Sequence, residues 1–226
     1  MQKNPQHIAI IMDGNRRWAT STGNSSVDGY LQGVEAIKLA VKGAIKNNVS
    51  FITFYAFSTE NWQRDPSEID YLKTLLDWYL DNNISYFMDN EIKFLAIGDY
   101  SKFGDEIYNK IEDLKERTKN FDKITLIIAL NYGGRQEIVY AVNKIIESGI
   151  NKISETEFSS FLYTKDIPDP DIVIRTGGEK RISNFLIWQC NYSELIFMDK
   201  MWPEFKEDDI EIAIQEYLSR NIRKGK

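Results

Sequence analysis

Thiol and imidazole are almost missing from this chain, which carries one cysteine, Cys190, and one histidine, His7. A single cysteine cannot staple a fold internally, and in the apolar setting FLIWQC (185–190) it reads as a buried, inert thiol rather than a nucleophile. His7 stands ahead of the first apolar run instead of at its end, so a hydrolytic triad has no support and a structural role fits it better. No run of about 18 apolar residues occurs, and the opening MQKNPQ is polar. Neither a membrane span nor a signal peptide is expected, and the expected location is the cytoplasm. A basic excess is absent too: 28 Lys and Arg stand against 34 Asp and Glu, a formal charge of -6 that argues against nucleic acid as a partner. The motifs G-x-x-x-x-G-K-S/T and G-x-G-x-x-G do not occur, which disfavours a kinase or a dehydrogenase.

What is present is apolar and regularly spaced. With 226 residues, 42% of them apolar, the chain can fill one large core, and a single domain over 1–226 is expected. Six short runs recur: IAIIM (8–12), FITFYAF (51–57), KFLAIG (93–98), ITLIIAL (124–130), DIVIR (171–175) and LIFM (195–198). Near-continuous hydrophobicity suits strands covered on both faces. Between them, 33–47 repeats Val34, Ile37, Val41 and Ile45 at helical intervals, and Pro66 opens a stretch carrying Ile69, Leu72, Leu76, Tyr79 and Leu80. The alternation predicts an α/β fold: a three-layer open sheet of about six mainly parallel strands flanked by helices.

Ligands of such sheets bind beyond the carboxyl ends of the strands. The residues there are Asp13-Gly-Asn, Ser58-Thr-Glu-Asn-Trp, Asp99, Asn131-Tyr-Gly-Gly-Arg, Thr176-Gly-Gly-Glu and Asp199. Any one of them is an ordinary turn; together they read as a site. The richest is RTGGEKR (175–181), where paired glycines at a helix start could cradle a phosphate between Arg175 and Arg181, with Ser183 adding a hydroxyl. A surface ion network around Glu179 is the alternative. Beside a phosphate, Asp13 would be repelled unless magnesium lay between them. Asp208-Asp209 fall where a helix is expected to begin and suit its dipole better than a metal.

The segments HIAIIMDGNRRWA (7–19), FYAFSTENWQR (54–64), LNYGGR (130–135), VIRTGGEKRISNFLIWQ (173–189) and YSELIF (192–197) run through essentially the whole chain. In this combination the chain resembles the cis-prenyltransferase family. The resemblance implies an enzyme that condenses an allylic diphosphate, typically farnesyl diphosphate, with successive isopentenyl diphosphates. Its product would be a long-chain cis-polyprenyl diphosphate, the lipid carrier for cell-wall glycans. It implies that Asp13 holds Mg2+ and assists departure of the allylic diphosphate, gripped by Gly14, Asn15, Arg16 and Arg17 with Trp18 alongside. Ser58, Thr59, Glu60, Trp62 and Arg64 would complete that substrate contact. Asn61 matches the family's suggested proton acceptor, although the departing diphosphate or a water could take that role, because an amide is a weak base. Arg175, Arg181, Ile182 and Ser183 would bind isopentenyl diphosphate, and Glu194 matches the second metal carboxylate. A homodimer is also implied, with the tail residues Arg223 and Gly225 reaching the neighbouring subunit's site, and so is peripheral membrane contact through the lipid product.

Three positions depart from the family pattern. Gly-His-x-x-Gly reads Gly29-Tyr30-Leu-Gln-Gly33, an upstream arginine is Ser26, and a histidine after Gly-Gly-Glu is Lys180. The stretch from about Glu68 to Asp89, read as one helix, would span roughly 33 Å at 1.5 Å per residue, with an apolar stripe that could line a tunnel, pack in the core, or both. Two other functions are compatible with the family: a non-catalytic supporting subunit, or a synthase of shorter chains. A plain diphosphate-binding module is a third.

Overall fold

The computed structural model describes residues 3–220. Each of the six apolar runs is a strand: β1 (His7–Ile11), β2 (Phe51–Ser58), β3 (Ile92–Ile97), β4 (Ile124–Tyr132), β5 (Ile172–Arg175) and β6 (Glu194–Phe197). The helices are α1 (Asn15–Thr22), α2 (Ser26–Lys46), α3 (Pro66–Asn82), α4 (Ile84–Asp89), α5 (Asp105–Thr118), α6 (Gly134–Glu147), α7 (Glu155–Ser159) and α8 (Glu207–Ser219). The six strands form one parallel sheet, as the apolar runs predict, in the order β3-β4-β2-β1-β5-β6, which they do not give. Every residue of β1 and of β4 is buried, which is what unbroken hydrophobicity demands of strands covered on both faces. Two compact units divide the chain within β2.

The first unit takes in the chain up to Phe54, Asp169–Ser183 and the residues from Gln189 onward. Its strands run in parallel register, with Ile8 opposite Ile172 and Ile11 opposite Arg175, and Ile172 opposite Glu194 and Arg175 opposite Phe197. The structural role read for His7 is visible at the amino end of β1. Its Nε2 lies 2.7 Å from Thr53 Oγ1, and its amide donates to the Asp171 carboxylate at 3.1 Å. Helix α2 starts earlier than the apolar spacing predicts, because Ser25 and Asp28 cap each other's amides in a reciprocal box. Gly29 and Gly33 face α1: a Cβ on Gly29 would stand 2.4 Å from the Asn15 carbonyl oxygen, and one on Gly33 2.6 Å from Asn15 Oδ1. That close approach explains the glycine spacing without any ligand. Trp202, fully buried, donates from Nε1 to the Gly33 carbonyl at 2.8 Å. Asp209 caps α8 through the Lys206 amide and pairs with Lys200 at 2.6 Å, so it is a structural acid as expected. Arg223 and Gly225 lie outside the described residues.

The second unit comprises Tyr55–Pro168 and Asn184–Trp188. Strand β3 pairs with β4 from Ile92–Ile124 to Ile97–Ala129. The single helix expected from Glu68 to Asp89 is broken. Asn83 leaves helical geometry (φ -113°, ψ 9°), and its buried side-chain amide donates to the Tyr79 carbonyl at 2.9 Å. An asparagine that bonds its own preceding turn competes with the helix ladder, so α3 stops at Asn82 and spans about 25 Å. Within α3 only Tyr79 and Leu80 are buried, and Ile69, Leu72 and Leu76 remain half-exposed. Core packing alone does not use up this stripe.

Candidate active site

Asp13 follows β1, where Gly14 turns the chain into α1. Gly14 has φ 112°, and a Cβ there would meet Met201 Cβ at 2.8 Å, so both backbone and space require glycine. No side chain caps α1, which leaves the positive end of the helix open to an anion. Arg17, one helical turn on, reaches back: its Nη2 lies 3.1 Å from Asp13 Oδ1, and its Nη1 donates to the Gly177 carbonyl at 2.7 Å. Arg175, at the carboxyl end of β5, donates from Nη2 to Asp13 Oδ2 at 2.9 Å. Its Nη1 donates to the Arg181 carbonyl at 2.6 Å and to Ser183 Oγ at 2.7 Å. Arg175 is 5% exposed, and its Nε is buried with no acceptor among the described residues. Thr176 Oγ1 donates to the Asp13 carbonyl at 2.7 Å, fixing the acid's backbone as well. Asp13 nevertheless keeps 29% of its side chain exposed. A part-exposed carboxylate between two guanidiniums results.

Other residues of this unit are arranged more loosely. Arg16 and Lys180 are exposed, Trp18, Tyr30 and Ile182 are half-buried, and exposed Arg181 pairs with Glu179 at 2.5 Å. That pair is the ion network weighed as the alternative. The phosphate cradle expected at Gly177-Gly178 is not formed. No helix starts there, and both amides are spent on the chain itself, Gly177 donating to the Lys200 carbonyl at 2.8 Å and Gly178 to that of Met198 at 2.9 Å. Glu194 is not brought to Asp13 within the chain. It is level with Ile172 at the amino end of its strand, whereas Asp13 lies beyond Ile11, which is level with Arg175. The separation along the strands is about five residues, roughly 16 Å. Glu194 instead accepts from Arg220 Nη1 at 2.5 Å.

The second unit carries its own polar cluster after β2. A short 3-10 turn, Thr59–Gln63, is closed by Asn61, whose Oδ1 accepts the Ser58 amide at 3.0 Å. An amide oxygen already engaged this way is a poorer proton acceptor still. Glu60 accepts from Asn184 Nδ2 at 2.8 Å, and the same Nδ2 lies 3.0 Å from Gln136 Oε1. Partial burial raises the Glu60 carboxyl, but hydrogen bonds from Asn184, its own backbone, Ser58 and Thr59 outweigh it and hold the group below its ordinary range. Asn184 also takes the first amides of α6: its carbonyl accepts from Gly134 at 2.7 Å and its Oδ1 from Arg135 at 2.9 Å. Trp62 Nε1 donates to Asn131 Oδ1 at 2.8 Å, and Arg64 pairs with Glu68 at 2.9 Å. Sequence reasoning did not single out Asn184. Its only signal is an asparagine beside Ser183, and both have positive φ (47° and 63°). Cys190 is half-buried, and burial pushes its thiol up, as expected of an inert group.

Among the described residues no group of three or more His, Cys, Asp or Glu side chains could enclose a metal. A single part-exposed carboxylate beside anion-binding arginines fits a hard cation that takes its remaining ligands from substrate phosphates. An open helix start, two arginines and one such acid at strand ends define the class: an α/β protein built to handle diphosphates. Residues 11–225 match the family described as "Putative undecaprenyl diphosphate synthase", and the chain belongs to that prenyltransferase family. It is 48% identical to the isoprenyl transferase of Fusobacterium nucleatum, across all of this chain and 98% of that protein. Identity is 42% with a Micrococcus luteus ditrans,polycis-undecaprenyl-diphosphate synthase specific for (2E,6E)-farnesyl diphosphate, covering 98% of this chain and 91% of the relative. Among solved structures, lavandulyl diphosphate synthase from Lavandula x intermedia in complex with dimethylallyl diphosphate superposes with a TM-score of 0.94 at 33% identity, covering 99% of each chain. A probable undecaprenyl diphosphate synthase from Campylobacter jejuni does so with a TM-score of 0.85 at 34% identity over both full chains.

Proposed function

We propose that the chain, acting over 1–226 as one catalytic domain, condenses an allylic diphosphate with successive isopentenyl diphosphates to a long-chain cis-polyprenyl diphosphate. Farnesyl diphosphate as primer and an undecaprenyl product are the specific reading, and the Micrococcus luteus relative supports it. The observation that carries the reaction is the Arg17–Asp13–Arg175 constellation at an open helix start. Arginine forks stabilise a departing diphosphate, and the acid that orients both forks would also join a cation to that diphosphate. In this reading Gly14, Asn15, Arg16 and Arg17 grip the allylic diphosphate, and Trp18, Tyr30, Ser58, Thr59, Glu60, Trp62 and Arg64 contribute to the same substrate. Arg175, Arg181, Ile182 and Ser183 serve isopentenyl diphosphate.

Asp13 would hold Mg2+, which when bound neutralises developing charge on phosphate oxygens. Holding two diphosphates in reacting geometry lowers the barrier by roughly 7–11 kcal/mol. Asn61 keeps the 58–62 turn in shape, and Asn61, the departing diphosphate or a water would take the proton. Glu194 would serve as the second metal carboxylate; it also accepts from Arg220, ahead of the tail that carries Arg223 and Gly225, the residues that would cross a homodimer. The half-exposed stripe Ile69, Leu72 and Leu76 offers the growing chain an apolar surface. No helix among the described residues is long and apolar enough to cross a membrane, and the proposed location is the cytoplasm, with membrane contact through the product.

Removal of metal tests the assignment of Asp13. With EDTA, transfer of labelled isopentenyl units should stop and return on addition of Mg2+, while calorimetry still detects isopentenyl diphosphate binding to the arginines. Undiminished transfer in EDTA would remove the cation from the proposal.

A further inference from the structure

Asn131, the last residue but one of β4, has φ 46°, in the left-handed region where asparagine is among the few tolerated side chains. It is 4% exposed, and both ends of its side-chain amide are in use. Oδ1 accepts from Trp62 Nε1 at 2.8 Å, and Nδ2 donates to the Asp99 carbonyl at 2.8 Å. Among the described residues, the Trp62 indole also has ring contacts and one cation. Between ring centroids Phe57 lies edge-on at 4.9 Å and Phe103 tilted at 5.5 Å, and Lys73 Nζ sits 5.5 Å over the ring. Edge-on and tilted aromatic contacts let a ring slide and rotate in its plane, whereas one N–H bonded to a buried, doubly anchored acceptor does not.

We propose that Asn131 is a positioning residue for the allylic substrate: it touches no substrate itself and sets the orientation of the Trp62 indole that does. The proposal rests on the reading of Trp62 as a substrate contact. Glycine accepts the same φ, so Asn131→Gly removes the side-chain bonds and spares the backbone. Loss of a buried hydrogen bond that orients a contact should lower kcat/KM for the allylic primer about tenfold. In a Trp62→Phe background, which has no indole N–H to orient, the same substitution should cost less than about twofold. The emission assigned to Trp62, taken as the difference between each protein and its Trp62→Phe counterpart, should shift to the red in Asn131→Gly.

Asn131→Asp, which retains an acceptor for Nε1, should restore most of the lost kcat/KM and the wild-type emission. It keeps the test open should the glycine variant fold poorly. Trp62→Phe and Trp62→Ala both with wild-type kinetics would show that Trp62 is no substrate contact and would end the underlying reading. Impaired Trp62 variants together with an equal loss from Asn131→Gly in both backgrounds would overturn the positioning role alone.

Discussion

Replacing Asp13 with alanine is expected to cut turnover by about 10³-fold or more while leaving affinity for either diphosphate unchanged or tighter. The split follows from the geometry. Both carboxylate oxygens are engaged by guanidiniums, Arg17 at 3.1 Å and Arg175 at 2.9 Å. Without the acid these two cations face an incoming diphosphate with no internal competitor, so ground-state binding does not suffer. In the proposed reading, what would be lost is the link through a cation to charge that develops as the diphosphate departs. Asp13→Asn should fold as well as the native chain, because an amide oxygen still accepts from one guanidinium, and it should be comparably slow. Steady-state kinetics with a calorimetric Kd for each substrate separates the two effects. Near-normal turnover in saturating Mg2+, or a loss confined to affinity, would contradict the role.

Arg175→Met should damage both fold and function. The side chain is buried at the strand end and ties Asp13, the Arg181 carbonyl and Ser183 together. Removing it strands those acceptors, at a cost of about 2–3 kcal/mol after allowance for the partial exposure of Asp13. Turnover should fall at least about a hundredfold, because the 181–183 segment loses its anchor and, in the proposed reading, isopentenyl diphosphate would lose a guanidinium partner. Arg175→Lys should recover little: an ammonium replaces the charge but cannot point at Asp13 and at Ser183 in two fixed directions. Thermal unfolding and a Kd for isopentenyl diphosphate check both halves. A variant with native stability and native affinity would show that Arg175 is incidental to the site.

The strands were legible because fully covered parallel strands leave little room for polar residues, and β1 and β4 show this in every position. The rule that ligands gather past strand ends pointed to Asp13 and to Thr176-Gly-Gly-Glu, and the structure joins Asp13 to Arg175, the last residue of β5. Glu194 stands before its apolar run, at the other end of its strand from Arg175, so this rule does not find it and only the resemblance singles it out. The Gly177-Gly178 misreading has a different origin. A residue list shows that two glycines can aim amides at a ligand, but not that the carbonyls of Met198 and Lys200 already hold them. Asn83 hid in a helical pattern because its break depends on one side-chain bond to Tyr79. Asn131 stood among the residues past the strand ends but its bonds were not legible, and Asn184 is silent, since an asparagine that organises a turn looks like any turn residue.

The central claim is chain growth, and product length measures it directly. Incubation of the full chain with farnesyl diphosphate, labelled isopentenyl diphosphate and Mg2+ should give a ladder of products ending near the undecaprenyl length, with newly formed double bonds cis. A single condensation product, of the kind a non-elongating relative would release, would contradict the long-chain reading. No incorporation by the purified chain would contradict the enzyme itself and point to a supporting subunit.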